Sequence, residues 1–553
     1  MWGDWRVENA RAVKRGLNSH RVRGLRPKIS GIRSGRLDSY KVEEPVWKPH
    51  NLVKGELREF WGWAPAFGGR PAPAPPPKAA APKRGPTQKS HRSPYLRPMP
   101  LLISASGIRG TTEGQPHHNL TPLDAATWTA AWAAWLRETH GKPVPILVGQ
   151  DARPSGTILR PIAIQILRAF GHEVWDAGLT TTPTLALAIP ALGAAGGLLL
   201  TASHNPAGWN ALKLLNEHGE FLPPHALQTI QEHLKNLSFP ATESPGPVQP
   251  AENLLSLHIQ AILRQEILPL EAIRARRFRV VLDAINSAGA LYVPPLLEAL
   301  GAQVVKVLHG EPHGRFAHPP EPLPHHLTDL SRAVQETHAD LGIAVDPDVD
   351  RVAFFLPDGT PFGEEYSLVV AVDYILSQQK GPVVANLSTT QAVQQVAERY
   401  GVPFHASAVG EYHVVQKMKA VGAVIGGEGN GGVIWPAVHY GRDALVGITL
   451  MLARLTAFSN AHELRESYPS YYQVKISVPL SESPPDWKAL WNHLKAISPT
   501  AQAIEIDGLK LQWPQKWVHI RPSGTEPILR IYAEAPTQKE AEDLAAQFKN
   551  YLS

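Results

Sequence analysis

The chain has 553 residues, 43% hydrophobic and 19% charged, with 52 Pro and no Cys, which is enough for about three to five domains, each able to bury a core. Without Cys, disulfide scaffolds, thiolate-held zinc or iron–sulfur centres and thiol nucleophiles are excluded, and the composition fits a reducing compartment. The formal charge of +5 is uneven: residues 1–100 carry 21 Lys and Arg against 7 Asp and Glu, and the other 453 residues carry 33 against 42. A nucleic-acid role read from the overall basic charge is therefore an averaging error. No apolar run reaches the ~18–20 residues that span a bilayer; the longest candidate, near Ala188–Ala202, is broken by Gly and Pro.

Residues 1–98 lack sustained apolar periodicity, and Arg70–Pro86 is almost entirely Pro, Ala, Lys and Gly. Such a segment buries too little apolar surface to offset its ordering entropy, so a disordered extension is predicted. Five Trp (Trp2, Trp5, Trp47, Trp61, Trp63) argue for some local docking. A basic arm for an acidic partner and a transit peptide are alternatives. The reading adopted is translation from Met99, directly before the strand-like run Leu101–Ser104, which makes 1–98 a non-native or dispensable tail.

From Met99 onward one pattern occurs three times: an apolar strand, a polar loop, a helix, a Gly and a second apolar strand. The copies begin at Pro145, Phe278 and Pro382, with the Gly at Gly171, Gly301 and Gly401. Continuous Val/Ile/Leu strands alternating with helices predict sheets covered on both faces, an α/β class. The C-terminal segment differs. Tyr471–Leu480 alternates like a half-exposed strand, a helix follows near 486–497, and Asp507–Gly508 turns a hairpin. Strands at Trp517–Pro522 and Ile528–Ala535 and an amphipathic helix at Thr537–Tyr551 complete an α+β unit. The predicted organisation is an extension (1–98), three similar α/β domains with mixed sheets (99–248, 249–360, 361–468) and a smaller α+β domain (469–553) around a central cleft. Trp128, Trp132 and Trp135 share a helical face and are predicted core. The Pro-broken His309–His326 stretch is predicted to be a polar interdomain loop rather than a metal site.

Four loops carry chemistry. In the first, a buried strand delivers Thr201-Ala202-Ser203-His204-Asn205-Pro206, with Lys213 ten residues past Ser203. Adjacent Ser and His side chains diverge and no GxSxG elbow is present, so this is no hydrolase triad. A hydroxyl at a strand end beside imidazole and Lys suits phosphoryl transfer, although a plain strand-end Ser/Asn turn with a satisfied His is the better reading of the loop taken alone. In the second, Asp346, Asp348 and Asp350 alternate after an apolar strand and precede Arg351. Three such carboxylates repel unless a cation compensates, and oxygen ligands suit Mg²⁺. An EF-hand fails, because Arg351 and Pro357 occupy its Gly and Glu positions. Asp346-Pro347-Asp348-Val349 also fits the DxDx(T/V) signature of haloacid-dehalogenase-type phosphatases, with Asp346 as nucleophile. The third loop, residues 426–436, is Gly-rich and presents Glu428 and Asn430, equipment for reading sugar hydroxyls. The fourth offers Arg521, Ser523, Gly524, Thr525 and Arg530, a phosphate nest.

TASHNP with Lys ten residues on, DPDVDR, GEGNGG and RPSGTEP, in that order, resemble the four signature loops of the α-D-phosphohexomutase family, and Ser106–Gly110 resembles that family's start. The resemblance covers about residues 100–553. It implies three related α/β domains and a C-terminal domain, one loop from each meeting in a cleft. It further implies Ser203 as the phosphoserine, and Asp346, Asp348 and Asp350 as Mg²⁺ ligands together with Ser203. His204, Lys213 and Arg351 would then assist proton transfer and charge neutralisation, with Arg109 as a further active-site Arg. Glu428 and Asn430 would contact sugar hydroxyls, and Arg521, Ser523, Gly524, Thr525 and Arg530 the non-reacting phosphate.

The implied reaction moves phosphate between the 6- and 1-positions of a hexose through a hexose 1,6-bisphosphate, which also serves as activator. The motif set looks most like the phosphoglucosamine mutase branch, so glucosamine 6-phosphate is the first substrate, with phosphoglucomutase/phosphomannomutase activity second. A phosphatase using Asp346 and a non-catalytic sugar-phosphate binder are the readings from other classes. The implied protein is a cytoplasmic monomer or homodimer acting on a small hexose phosphate, with no membrane or nucleic-acid partner. Two positions depart from the pattern. Asn430, Gly431 and Gly432 stand where several relatives have Ser and then His, which removes a general acid that His439 or His413 would have to replace. Ala211 replaces a frequent Gly.

Overall fold

The computed structural model describes residues 101–240, 244–480, 485–523 and 528–552. The 1–98 extension and the candidates Gly524 and Thr525 lie outside the described residues. Four sheets follow one another along the chain. The first contains β1 (Leu102–Ser104), β2 (Gly107–Thr111), β3 (Ile146–Gln150), β4 (Val174–Leu179), β5 (Gly196–Leu200), β6 (Trp209–Leu215) and β7 (Val248–Pro250). The second contains β8 (Arg279–Asp283), β9 (Gln303–Leu308), β10 (Leu341–Val345) and β11 (Val352–Phe355). The third contains β12 (Val383–Asn386), β13 (Phe404–Ser407), β14 (Ile425–Glu428) and β15 (Gly432–Ile434). The last contains β16 (Tyr472–Pro479), β17 (Gln502–Ile504), β18 (Leu509–Trp513), β19 (Lys516–Pro522) and β20 (Ile528–Ala535).

The first three sheets repeat one order. The leading strands β3, β8 and β12 each pair parallel with the next strand, β4, β9 and β13, on one side. On the other side they pair parallel with β5, β10 and β14. Those three then turn back antiparallel into β6, β11 and β15. The turns are the Ser203, Asp346–Arg351 and Glu428–Gly432 loops, so three of the four candidate loops occupy one equivalent place in three copies of a mixed sheet. The fourth sheet is antiparallel in order β16-β20-β19-β18-β17, and its candidate loop joins β19 to β20. This is the predicted α/β class with a C-terminal α+β unit.

Local chemistry accounts for the elements. Strands β3, β5, β10, β12 and β14 are buried along their whole length, as expected of strands covered on both faces. The helix Pro122–His140 opens on a Thr121/Asp124 capping box with Pro in its first turn and closes on Gly141 at φ 66°, a left-handed cap that suits glycine. Trp128 and Trp132 are buried on it, and Trp135 packs half-buried against the same core. The cores are unequal in extent. The second and third sheets share one continuous apolar cluster running from Ile262 to Tyr468, whereas the first and fourth sheets have their own.

Candidate active site

The four loops face one cleft of about 610 Å³, lined by Arg109, Ser203, His204, Lys213, Arg351, Glu428, Asn430, Arg521 and Arg530. Ser203 is buried at φ 48°, a left-handed conformation that a side-chain-bearing residue keeps only under constraint. The constraint is visible. Its N–H donates to Thr201 Oγ1 (3.0 Å), and Thr201 Oγ1 donates to Asp151 Oδ2 (2.6 Å). Arg153 pairs with Asp151 (3.0 Å) and donates to the carbonyl oxygens of Ser203, Asn205, Pro206 and Trp209. One fully buried guanidinium thus fixes the whole turn.

Ser203 Oγ donates to Asp346 Oδ2 at 2.7 Å, across 143 residues of sequence. The oxygens of Asp346, Asp348 and Asp350 lie within 4.8 Å of one another, all three side chains buried. Asp346 Oδ1 accepts the N–H groups of Asp350 (3.0 Å) and Arg351 (3.2 Å), which curls the loop. Burial and then the neighbouring Asp350 and Asp348 charges push the Asp346 carboxyl well above its usual range. Lys213 Nζ meets Asp348 and, at 3.4 Å, Asp350. Burial opposes its charge, but the Asp348 and Asp350 carboxylates hold its ammonium above the ordinary lysine range. Asp348 Oδ1 and Asp350 Oδ1 are buried with no hydrogen-bond partner. Orphaned carboxylate oxygens converging at one point fit a hard divalent cation.

Cations line the cleft around Ser203. Arg109, on β2, donates to Asn205 Oδ1 (2.7 Å), and burial brings its pKa down to about 10. Arg351 meets Glu321 (3.3 Å) and lies 3.7 Å from Asp350 Oδ1. His204 Nδ1 is buried without a partner. Burial, then the Arg351 and Arg109 charges, hold its pKa well below the usual value, so the imidazole is neutral at physiological pH. At the sugar loop, Glu428 accepts from Asn386 (2.7 Å), the Gly410 N–H (3.0 Å) and Arg442 (2.8 Å), while Asn430 Oδ1 is buried with no partner. At the fourth loop, Arg521 and Arg530 face each other across the β19–β20 ladder. Like charges directly opposite repel, and an anion between them relieves that repulsion. Arg521 also contacts Asp507 Oδ2 at 3.0 Å.

The comparisons with known proteins agree over the whole described region. Four models of phosphoglucomutase/phosphomannomutase match in order: alpha/beta/alpha domains I (residues 101–241), II (256–359) and III (363–472) and the C-terminal domain (476–550). A probable phosphoglucosamine mutase from Methanopyrus kandleri is 32% identical over 410 residues, 73% of this chain and 89% of its own. The chain belongs to the phosphoglucomutase/phosphomannomutase family. A phosphoglucomutase/phosphomannomutase from Thermococcus kodakarensis is likewise 32% identical, covering 80% of this chain and 97% of its own length. The crystal structure of a family protein from Burkholderia thailandensis shares the fold with TM-score 0.70 at 23% identity, over 82% of this chain and 98% of that one. This mutase is a phosphohexomutase, an isomerase of the intramolecular phosphotransferase type. The phosphatase and the non-catalytic binder give way to it. Among the described residues, no helix is long and apolar enough to cross a membrane.

Sequence reasoning passed over two arginines, Arg442 lining the mutase's cleft and Arg153 buried at the Ser203 turn. Arg442 bridges Glu411 (2.9 Å), Glu428 (2.8 Å) and Asp350 (2.6 Å), tying the sugar loop to the acidic loop. Its only sequence signal was a Gly-Arg-Asp triplet shortly after the Gly-rich loop. Arg153 had a better one, an Asp-x-Arg turn directly after the first repeated strand. Of the two substitutes suggested for the missing sugar-loop His, neither lines the cleft. His439 instead meets Asp443 at 3.0 Å.

Proposed function

We propose that the mutase converts glucosamine 6-phosphate to glucosamine 1-phosphate, with Ser203 as the group that gives and regains the phosphoryl unit. The carrying observation is Ser203 Oγ at 2.7 Å from Asp346 Oδ2, in a cleft that Arg521 and Arg530 also line. In the first half-reaction a sugar hydroxyl attacks the phosphorus on Ser203. The Ser203 O–P bond breaks as the sugar O–P bond forms, leaving free Ser203 and a hexose 1,6-bisphosphate. The attacking hydroxyl's proton passes to neutral His204, whose Nδ1 has no other partner, and from there to the departing Ser203 oxygen, which is left as the hydroxyl. Arg109, Arg351 and Lys213 offset charge on the transferring oxygens, since phosphoryl transfer is chiefly positioning and charge stabilisation. Asp346, Asp348 and Asp350, with the oxygen on Ser203, would hold Mg²⁺, which when bound supplies Lewis-acid stabilisation of those oxygens. Arg521, Ser523 and Arg530, with Gly524 and Thr525, would clamp the non-reacting phosphate, while Glu428 and Asn430 take sugar hydroxyls. After the bisphosphate turns end for end, the opposite phosphate returns to Ser203.

The substrate assignment is supported by relatives carrying the phosphoglucosamine mutase name. Wild type and Ser203→Ala are assayed on glucosamine, glucose and mannose phosphates with Mg²⁺ and the matching bisphosphate, alongside intact-mass analysis. Wild type should favour glucosamine phosphate and carry one phosphoryl group. Ser203→Ala should carry none and lose at least about 10³-fold in kcat/KM. Normal turnover by Ser203→Ala overturns the phosphoserine, and a preference for glucose or mannose overturns the substrate alone.

A further inference from the structure

Away from the cleft, the described residues include two clusters of one Asp and two His. In one, His258 Nε2 (2.7 Å) and His439 Nε2 (3.0 Å) meet the same oxygen of Asp443, whose other oxygen caps the helix Ala444–Leu455. Each imidazole can donate an N–H there, so the arrangement is complete as it stands.

In the other cluster one contact, that of His318, lacks a hydrogen. Asp283 ends β8, His309 directly follows β9, and His318 comes nine residues later in the stretch predicted to be a polar loop. His309 Nδ1 lies 3.0 Å from both Asp283 oxygens, and His318 Nε2 lies 3.2 Å from Oδ2. His318 Nδ1 is 2.8 Å from the Pro319 carbonyl oxygen. A carbonyl only accepts, so Nδ1 carries the hydrogen and Nε2 of the neutral ring points a lone pair at a carboxylate. Acceptor facing acceptor, with Asp283 1% and His318 14% exposed, calls for a cation between them. His309 meets Asp283 without help, by donating its Nδ1 hydrogen; the cation that His318 calls for is a proton on Nε2 or a metal ion, which His309 would join by giving up that hydrogen. An imidazole anchored through its other nitrogen to a carbonyl is the usual support of a metal-bound His. Separations of 3.0 and 3.2 Å approach the ~3.3 Å edge of a tetrahedron with metal–ligand bonds of ~2.0–2.1 Å.

The backbone is constrained at the same place. Ile285 (φ 47°), Asn286 (φ 51°) and His309 (φ 50°) are all left-handed, and the Asn286 N–H donates to the His309 carbonyl at 2.7 Å. We propose that Asp283, His309 and His318 bind a Zn²⁺-type transition-metal ion with water at the fourth position, in a site separate from the acidic trio of the cleft. Two imidazoles and a carboxylate form the donor set such ions favour over Mg²⁺. The ion ties the segment after β9 to β8. That segment carries Gly314, packed on the Ala152 carbonyl, and Phe316, whose ring lies 4.9 Å from the guanidinium of Arg153. The ion therefore buttresses, from behind, the residue that grips the Ser203 turn.

The full-length protein, freed of metal by chelator dialysis, is titrated with Co²⁺ and then Zn²⁺. Wild type should take up one Co²⁺ with the intense visible absorption of a four-coordinate site, lose that absorption to Zn²⁺, and melt higher with Zn²⁺ bound. Asp346→Asn and His258→Gln should keep the signal. His309→Gln and His318→Gln should weaken Co²⁺ binding by at least about 100-fold, with metal-free melting curves like that of metal-free wild type. Absence of the absorption in wild type overturns the proposal whatever the variants do. Its persistence in His318→Gln, or its loss in His258→Gln, does the same.

Discussion

Lys510 shows how a single side chain sets a pH response. It is 6% exposed, donates to the Leu387 carbonyl (2.8 Å) and lies 4.1 Å above the Trp517 ring. Burial lowers its pKa from 10.5 to about 8. Between about pH 8 and 10 the unfolded chain keeps a proton that the folded chain has lost. Stability attributable to Lys510 therefore rises with pH across that window, by up to about 3 kcal/mol. Urea midpoints of wild type and Lys510→Met, compared from pH 7 to 10, should diverge in that direction, with the rise confined to wild type. Ser203 illustrates the other use of a residue, a strained backbone that holds its hydroxyl where the proposed phosphoryl transfer needs it.

At the level of elements, the Ser203 turn depends on Arg153 more than on its own hydrogen bonds. Four loop carbonyls and Asp151 converge on that guanidinium. Arg153→Ala strands Asp151 as an unpaired buried charge and frees the turn. It should cost about 3–5 kcal/mol in denaturant unfolding and lower kcat with it; a loss under about 1 kcal/mol contradicts the role. The acidic loop is held differently, by backbone N–H groups converging on Asp346. A turn held by a carboxylate of its own withstands substitution elsewhere better than a turn hung from one residue some fifty positions away.

Across the whole molecule, the cores indicate which parts move together. The second and third sheets share one apolar cluster, so they form a stiff block. The fourth sheet meets that block through polar contacts. Glu534 accepts from the Gln391 N–H (2.9 Å), Lys510 reaches Leu387, and Ser388 Oγ pairs with His519 Nδ1 (2.9 Å). Polar interfaces of this kind permit domain rotation, which the proposed turning of a bisphosphate within the cleft would require. Adding hexose 1,6-bisphosphate should slow hydrogen exchange at residues 387–391 and 507–523 while leaving β8, β10 and β12 unchanged. Uniform protection of both groups contradicts a hinge at that interface.

What the sequence determined by itself was local and repetitive. Val/Ile/Leu runs and a Gly after the helix of each repeat specified strands, helices and the α/β class, because each depends on neighbours within a few residues. The four loop motifs were legible for the same reason: Ser203 with His204, the alternating Asp trio, Glu428 with Asn430, and Arg521 with Ser523 each sit within one turn. Only the tertiary structure decided that Ser203 meets Asp346, that Arg442 joins Asp350 to Glu428, and that His309 and His318 close on Asp283. Those pairs are separated by up to 143 residues, and no local periodicity encodes them. They come together because equivalent hairpins of three repeated sheets point into one cleft, and because a buried charge must find its partner wherever the packing places one.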